Sequence, residues 1–339
     1  MKYKLLSVEG IKSINIGDYI QALASSQFLP SVDGFVNREE LKDYDGEECI
    51  VIMNGWYMHN PKMWPPSEKI HPIFLSFHIN SLASNEMLSE ESLNYLKKHE
   101  PIGCRDYYTC ELLKSYNIEA FFSGCMTLTL GLNYHQEIRD DKYYFVDPFY
   151  QYNNSLKNLS LSIIELLIHY KSIHHISKKL PNNKKGVKSI IKTAFFFKEY
   201  KRFFSKDILT RAEYVCQESS DYHKYGNNYE LLREAERLVK CYSKAKLVVT
   251  SRIHCALPCL GLDTPVVFIE NLRQKETSRC RLNGLRELFN LLVWDEQLRH
   301  TQSFNPTTLI DAHHIPQNKL DCKKISANLI QKCQMLFAK

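Results

Sequence analysis

The first part of the chain alternates short apolar runs with stretches whose apolar residues are spaced as in helices. Residues 2–8 alternate in polarity and are rich in β-forming residues, and residues 18–28 carry apolar side chains at helical spacing. Further strands are predicted at 49–53, 72–77, 101–104 and 120–122, with a helix at 107–116. This order predicts a first α/β unit.

A second α/β unit begins at 143–146, resumes at 212–216 and continues with a helix at 229–243. Its clearest part is a β-run at 246–250, a helical stretch at 255–260, a turn at 261–265 and a strand at 266–269, which together form a strand–helix–strand unit. We therefore predict a first domain over 1–142, a second over 143–315, and a C-terminal helix within 316–339 that crosses back to the first domain.

The segment 171–206 interrupts the second unit and is unusually basic. It contains eleven Lys or Arg residues against the single acid Glu199, interleaved with five phenylalanines. We place it in a helical insertion over about 155–207. Two interpretations stay open: the phenylalanines are core and the lysines a solvated face, or the segment makes peripheral contact with an anionic membrane.

Charge and cysteine content narrow the class of protein. The 339 residues carry a net charge of +6, which suits an anionic ligand but falls short of a nucleic-acid binder. No run approaches the roughly 18 apolar residues of a membrane span, and the opening run stops at Glu9, before the length of an export signal. The eleven scattered cysteines fit reduced thiols. We expect a cytoplasmic protein, at the inner face of the membrane if the basic segment binds lipid.

Polar residues follow three of the predicted strands, where ligands bind in open α/β sheets. The clusters are Asn15 to Asp18, Arg105-Asp106, and Ser251-Arg252-Ile253-His254. The third lies at a strand-to-helix junction, where free backbone amides favour an anion. There an Arg binds carboxylate or phosphate with two parallel hydrogen bonds, and a His exchanges protons near neutral pH. A surface Arg beside a packed His explains the same four residues.

The context of this cluster resembles the polysaccharide pyruvyl transferase family. The similar segments, covering roughly residues 5 to 290, are 245–254, the 261–265 turn with Val266-Val267-Phe268, Asn15-x-Gly17-Asp18, Asn54-Gly55-Trp56, Ser76-Phe77-His78, Arg105-Asp106, Ser123-Gly124-Cys125 and Arg281-Leu282-Asn283-Gly284-Leu285. The resemblance implies an α/β fold of two Rossmann-like domains facing a cleft, as in GT-B glycosyltransferases. It also implies transfer of a pyruvyl group from phosphoenolpyruvate to a sugar hydroxyl pair as a cyclic ketal.

By the family's pattern, Arg105 and Arg252 bind the phosphate and carboxylate of the donor, assisted by Ser251, and His254 is the catalytic acid or base. A further cation is expected in the 273–281 loop. Lys275 is the favoured residue there, although a solvent-facing basic loop is an equally good interpretation. No step of this chemistry requires a metal or a cofactor beyond phosphoenolpyruvate as co-substrate, so we predict neither.

The acceptor is expected on the first domain, at Asn15, Asp18, Trp56 and His78. Asn15 and Asp18 also suit a helix cap, Trp56 a core position and His78 a structural histidine. A lipid-linked precursor of a surface or capsular polysaccharide is the preferred acceptor. A nucleotide-sugar glycosyltransferase with Glu270 or Glu276 on the ribose, and a non-catalytic sugar- or anion-binding module, remain alternatives. The sequence gives no indication of the oligomeric state.

Overall fold

The first half of the chain folds into parallel β-structure with helices packed against it. The computed structural model describes residues 1–149, 155–181, 186–272, 280–294, 300–303 and 309–337. The strands of the first half are β1 (Lys2–Ser7), β2 (Ile14–Asn15), β3 (Gly34–Asn37), β4 (Cys49–Ile52), β5 (Ile70–Ile73), β6 (Ile102–Cys104) and β7 (Ala120–Phe122). The helices are α1 (Ile16–Ser26), α2 (Ser84–Met87), α3 (Glu90–Lys98), α4 (Tyr107–Ser115) and α5 (Gly131–Tyr134), with 3-10 turns at Arg38–Glu40, Pro61–Met63 and Met126–Thr129.

The second half repeats this architecture around a second sheet. Its strands are β8 (Tyr143–Val146), β9 (Glu213–Val215), β10 (Glu218–Ser219), β11 (Leu247–Thr250), β12 (Val266–Asn271), β13 (Asn290–Trp294) and β14 (His300–Gln302). Its helices are α6 (Leu156–Ile168), α7 (Tyr170–Lys179), α8 (Val187–Tyr200), α9 (Lys206–Arg211), α10 (Asn228–Ser243), α11 (Ile253–Gly261) and the C-terminal helix (Asp321–Phe337), with 3-10 turns at Ser220–Lys224, Cys280–Leu282 and Arg286–Leu288.

The strand orders are those of open parallel sheets. The first sheet runs β3-β1-β4-β5, all parallel, and an isolated parallel bridge between Phe77 and Cys104 leads on to the parallel pair β6-β7. The second runs β14-β13-β12-β11-β8-β9 and is parallel except for β14. The chain is therefore an α/β protein, as predicted, and in open sheets of this kind ligands bind beyond the carboxyl ends of the strands.

A single apolar core lies between the two sheets. It joins side chains of β1 and α1 to side chains of α10, β11 and α11. The contact is close because glycines permit it: a Cβ on Gly131 would lie 2.1 Å from the carbonyl oxygen of Gly261. Strand β10 also pairs with β2, so one short two-stranded sheet connects the halves. The C-terminal helix packs against residues of the first half, with Ser326 donating to the carbonyl of Leu128 at 2.8 Å.

The phenylalanines of the basic segment are core residues. Phe196, Phe197 and Phe204 are buried in the cluster that covers the outer face of the second sheet, and Phe195 is also buried. Phe203 is half-buried against the same cluster. The structure thus supports the interpretation in which these rings stabilise a helical insertion, because four of the five are buried and the fifth packs against the same cluster. No helix among the described residues has the length and apolar character of a membrane span.

Candidate active site

A pocket of about 390 Å³ collects polar side chains from the carboxyl ends of both sheets. The first half contributes the loop before β2, the start of α1, and residues after β4 and β6. The second half contributes residues after β9 and β11 and the 3-10 turn at Cys280–Leu282. The lining residues are Ile11, Lys12, Ser13, Asn15, Asp18, Trp56, His59, Arg105, Gln217, Glu218, Arg252, Ile253, His254 and Arg281.

Arg252 is held at the rim of this pocket by two carboxylates. It is the residue before α11; its Nε lies 2.8 Å from Oδ2 of Asp147, and its Nη1 lies 3.0 Å from Oε2 of Glu218. Burial opposes the charge of Arg252, but these two carboxylates outweigh burial and raise its pKa. Ser251 donates to the backbone carbonyl of Asp147 at 2.6 Å and is not a lining residue. Ser251 therefore anchors the loop that carries Arg252.

His254 projects from the first turn of α11 with one ring nitrogen unpaired. Its backbone, at φ −84° and ψ 18°, departs from helical geometry, and its carbonyl accepts a hydrogen bond of 3.1 Å from Nε2 of Gln217. Nε2 of the imidazole is buried and has no hydrogen-bond partner among the described residues. Burial, followed by the charges of Arg105 and Arg281, holds the pKa of His254 well below its usual value. The imidazole is therefore neutral near pH 7 in the free protein.

Two further arginines line the pocket with this imidazole, Arg105 fully buried and Arg281 partly buried. Arg105 is only 1% exposed, and its Nε and Nη2 have no hydrogen-bond partner in the described part of the chain. Nε of Arg281 is buried and has no hydrogen-bond partner within the described ranges, and burial together with Arg105 and Arg252 lowers the pKa of Arg281 to about 10. Buried donors of like charge and without partners are costly. An anion between them would remove that cost.

His78 lies behind Arg105 and does not line the pocket. The ring is fully buried, with Nδ1 2.6 Å from Oδ2 of Asp106 and 3.3 Å from Oγ1 of Thr109. Burial and the charge of Arg105 lower its pKa to about 4, against the opposing effect of Asp106. Asp106 is also 3.5 Å from Nε of Arg105. The structure therefore places His78 where it orients Asp106 and Arg105, away from the acceptor position predicted for it.

The other three predicted acceptor residues do line the pocket. Asn15 caps α1 by accepting from the backbone N–H of Gly17 at 3.0 Å, and Asp18 forms a buried ion pair of 2.9 Å with Arg38. Nε1 of Trp56 is buried and has no hydrogen-bond partner among the described residues. The capping role considered for Asn15 is thus observed, and its side chain still faces the pocket.

The start of α1 is in close contact with His254. The backbone N–H of Ile16 donates to the carbonyl of Gln217 at 2.8 Å, and a Cβ on Gly17 would lie 3.0 Å from Cβ of His254. A side chain at position 17 would push the two elements apart. Gly17 therefore lets the imidazole sit directly against the cap of α1.

Lys275, the favoured cation of the 273–281 loop, lies outside the described residues. Of the two residues of that loop that the structure describes, Cys280 and Arg281, it is Arg281 that lines the pocket. Its position is set by Gly284, whose φ of +81° brings the turn within contact of the Tyr107 ring at the start of α4. The segment from Arg281 to Leu285 is one of those that carry the family resemblance, and this was the signal that could have singled out Arg281.

A sequence model described as polysaccharide pyruvyl transferase matches residues 15–273. The chain belongs to the polysaccharide pyruvyl transferase family. The match spans most of the chain and contains ten of the fourteen residues that line the pocket, among them Asn15, Arg105, Arg252 and His254. No curated protein matches the chain. As a pyruvyl transferase family member, the protein is a transferase that acts in polysaccharide biosynthesis.

The sequence predicts that this transferase needs no metal ion, and this stays a prediction. Within the described ranges, no group of three or more His, Cys, Asp or Glu side chains is arranged to hold a metal ion. The pocket instead offers Arg, His and amide groups, which bind anions and sugar hydroxyls.

Proposed function

We propose that the protein transfers the pyruvyl group of phosphoenolpyruvate to a pair of sugar hydroxyls as a cyclic ketal. One observation carries this proposal: Arg105 and Arg281 line the same pocket as His254, and each has a buried N–H group without a hydrogen-bond partner among the described residues. A small molecule with a phosphate and a carboxylate would satisfy several of these donors at once. Arg252, already oriented by Asp147 and Glu218, would add a contact at the rim.

His254 would deliver the proton that starts the reaction. Donor binding would place negative charge between Arg105 and Arg281 and so offset the repulsion that these two residues, in addition to burial, exert on imidazolium. The imidazolium then protonates the methylene carbon of the enol, and a sugar hydroxyl oxygen bonds to the adjacent carbon while losing its own proton. The carbon–oxygen bond to phosphate breaks and inorganic phosphate leaves. Attack by the second hydroxyl, with loss of its proton, closes the ketal.

The acceptor sugar would bind on the first-half side of the pocket. Asn15 and Asp18 offer hydrogen-bonding groups, and Trp56 offers an aromatic face with an unpartnered Nε1. We propose a lipid-linked oligosaccharide of a surface or capsular polysaccharide as acceptor, with the transferase in the cytoplasm. We also propose that the two parallel sheets correspond to the two Rossmann-like domains of a GT-B-like enzyme.

The nucleotide-sugar alternative is not favoured. It needs a carboxylate for the ribose, and Glu270 is only 4% exposed and already paired with Arg286 at 2.9 Å. Glu276 lies outside the described residues.

Arg281→Gln tests the proposal because it removes one of the two guanidinium groups that line the pocket beside His254. We expect phosphoenolpyruvate to bind about 10- to 100-fold more weakly to this variant by calorimetry. Arg233→Gln removes an exposed Arg on α10 and should leave binding unchanged. Wild-type protein with galactoside-type acceptors should release phosphate from phosphoenolpyruvate and form a ketal methyl group detectable by NMR. Equal donor binding by wild type and Arg281→Gln would refute the donor assignment.

A further inference from the structure

Helix α6 presents large apolar side chains to solvent. Leu167 and Ile168 are 76% and 67% exposed, and Leu161 and Ile164 are also exposed. Their spacing of three, six and seven residues places all four on one face of the helix. The opposite face, with buried Ser162 and half-buried Leu166, is turned toward α8 and the core beneath it. The insertion therefore buries its phenylalanines while leaving this aliphatic face uncovered within the described residues.

The exposed charges of the same insertion are positive up to residue 206, and the exposed Asp207 at its end pairs with Arg211 at 3.2 Å. Between residues 155 and 206, every exposed charged side chain in the described ranges is Lys or Arg. These residues are Lys171, Lys178, Lys188, Lys192, Arg202 and Lys206. The two acids of this stretch are only partly exposed and are paired, Glu165 with Lys201 at 2.5 Å and Glu199 with Lys198 at 3.2 Å. The insertion thus combines an apolar helix face with a positive surface.

We propose that α6 is a membrane-contacting element whose Leu161, Ile164, Leu167 and Ile168 face enters the interface of an anionic bilayer. The exposed lysines of α7 and α8 would then bind lipid phosphates. An apolar face of this kind marks a contact surface, and positive charge beside it is complementary to anionic headgroups. The contact differs from the one considered for the basic, aromatic segment, because its apolar part lies upstream on α6. It does not rest on the proposed function.

Such a contact would be reversible and sensitive to salt. One amphipathic helix without a lipid anchor gives moderate affinity, so the apolar and electrostatic contributions are both needed. The electrostatic attraction extends only over a Debye length, about 10 Å at 0.1 M salt. Binding should therefore weaken as salt is raised.

The apolar contribution is tested with the full-length protein and sedimenting vesicles of phosphatidylcholine, alone or with about one third phosphatidylglycerol. We expect binding to the anionic vesicles only. Leu167→Gln with Ile168→Gln should lower the partition coefficient at least about tenfold. Leu82→Gln with Ile138→Gln changes two equally exposed apolar residues elsewhere and should leave it unchanged. Circular dichroism of each variant checks that the fold is retained.

The electrostatic contribution to membrane binding is tested with a second matched pair of variants. A variant in which Gln replaces Lys171, Lys178 and Lys188 together should bind anionic vesicles at least about tenfold more weakly. The same change at the exposed Lys62, Lys97 and Lys98 of the first half should have a much smaller effect.

Three results would overturn the proposal: equal binding to neutral vesicles, no binding at all, or normal binding by Leu167→Gln with Ile168→Gln. If that variant instead loses a concentration-dependent dimer seen by sedimentation equilibrium, the face contacts a second copy of the chain. Phosphate release with soluble acceptors should be the same in all these variants, so a failure here is distinguishable from failure of the proposed chemistry.

Discussion

His254 lies among guanidinium groups, so its protonation is coupled to the anion that enters the pocket. Burial, then Arg105 and Arg281, keep the pKa of the free imidazole well below its usual value. A bound donor offsets those positive charges and raises the pKa, so binding should take up a proton near pH 7. Donor affinity should therefore fall as pH rises through neutrality. Calorimetry in buffers of different ionisation enthalpy measures this uptake.

His254→Gln is the control for this coupling. The variant should bind phosphoenolpyruvate nearly as well as wild type at pH 8, take up less proton on binding, and lose turnover. Identical proton uptake by the two proteins would show that another group titrates. Near-normal turnover would show that His254 is not the acid.

Arg38 supports the pocket from behind through a buried ion pair. Its guanidinium is 2.9 Å from both Asp18 and Glu39, and burial, which opposes its charge, is outweighed by these carboxylates, so its pKa is raised. Arg38→Met leaves two buried carboxylates without their cation. We expect a loss of about 3 kcal/mol in the free energy of unfolding, measured in urea at pH 7.

Lys42→Met is the matched control, because the Lys42–Glu91 pair is exposed on both sides. Its loss should change the free energy of unfolding by less than about 1 kcal/mol. A similarly small change for Arg38→Met would mean that Asp18 and Glu39 find other partners.

The position of most candidate residues could be predicted from sequence because strand ends fix it. Trp56, Arg105 and His254 follow strands of parallel sheets, Asn15 ends the short antiparallel strand β2, and all four line one pocket. Their roles remain predictions. His78 also follows a strand, yet the chain turns it inward onto Asp106. Whether a side chain faces the cleft or the layer behind it depends on tertiary packing, which periodicity does not report.

At the level of elements, the contact between α1 and α11 depends on Gly17. A Cβ there would be 3.0 Å from both Cβ of His254 and Oδ1 of Asn15, closer than side chains normally pack. Gly17→Ala should shift the first turn of α1 against the imidazole. We expect kcat to fall about tenfold or more with a smaller change in donor affinity, because geometry of the acid matters most in the transition state.

Gly226→Ala offers a comparison, since a Cβ at Gly226 meets only the carboxylate of Glu230 at 3.9 Å. It lies just before α10 and should leave kcat unchanged. Equal kinetics for the two variants would show that the α1–α11 contact tolerates the added methyl group.

Elements with strong patterns were predicted closely, and those with weak patterns were not. Residues 120–122 and 143–146 are strands within the predicted bounds. The strand expected at 72–77 instead spans Ile70–Ile73. Pro72, where the predicted strand begins, lies inside β5 and not at its start. Strand β3 was not predicted. It begins at Gly34, directly after Asp33, and an Asp-Gly pair usually indicates a turn. Strand β13, in which four apolar residues follow Asn290, was also not predicted.

At the scale of the whole molecule, the α/β class followed from the alternation of elements, but the extent of contact between the halves did not. The central core takes residues from β1 and α1 as well as from β11 and α11. The predicted boundary at 142/143 falls between strands that feed this one core. Sequence periodicity identifies which face of a helix is buried and leaves open which sheet covers it.

This shared core predicts that the two halves unfold together. The three tryptophans report on them separately, because Trp56 and Trp64 belong to the first half and Trp294 is buried under the second sheet. In Trp294→Phe, fluorescence follows the first half, and in Trp56→Phe with Trp64→Phe it follows the second. Each urea midpoint should coincide with the far-UV circular dichroism of the same variant. A fluorescence transition well separated from that midpoint would mean that the halves are independent domains. The stability of each half would then not depend on the core between α1 and α11.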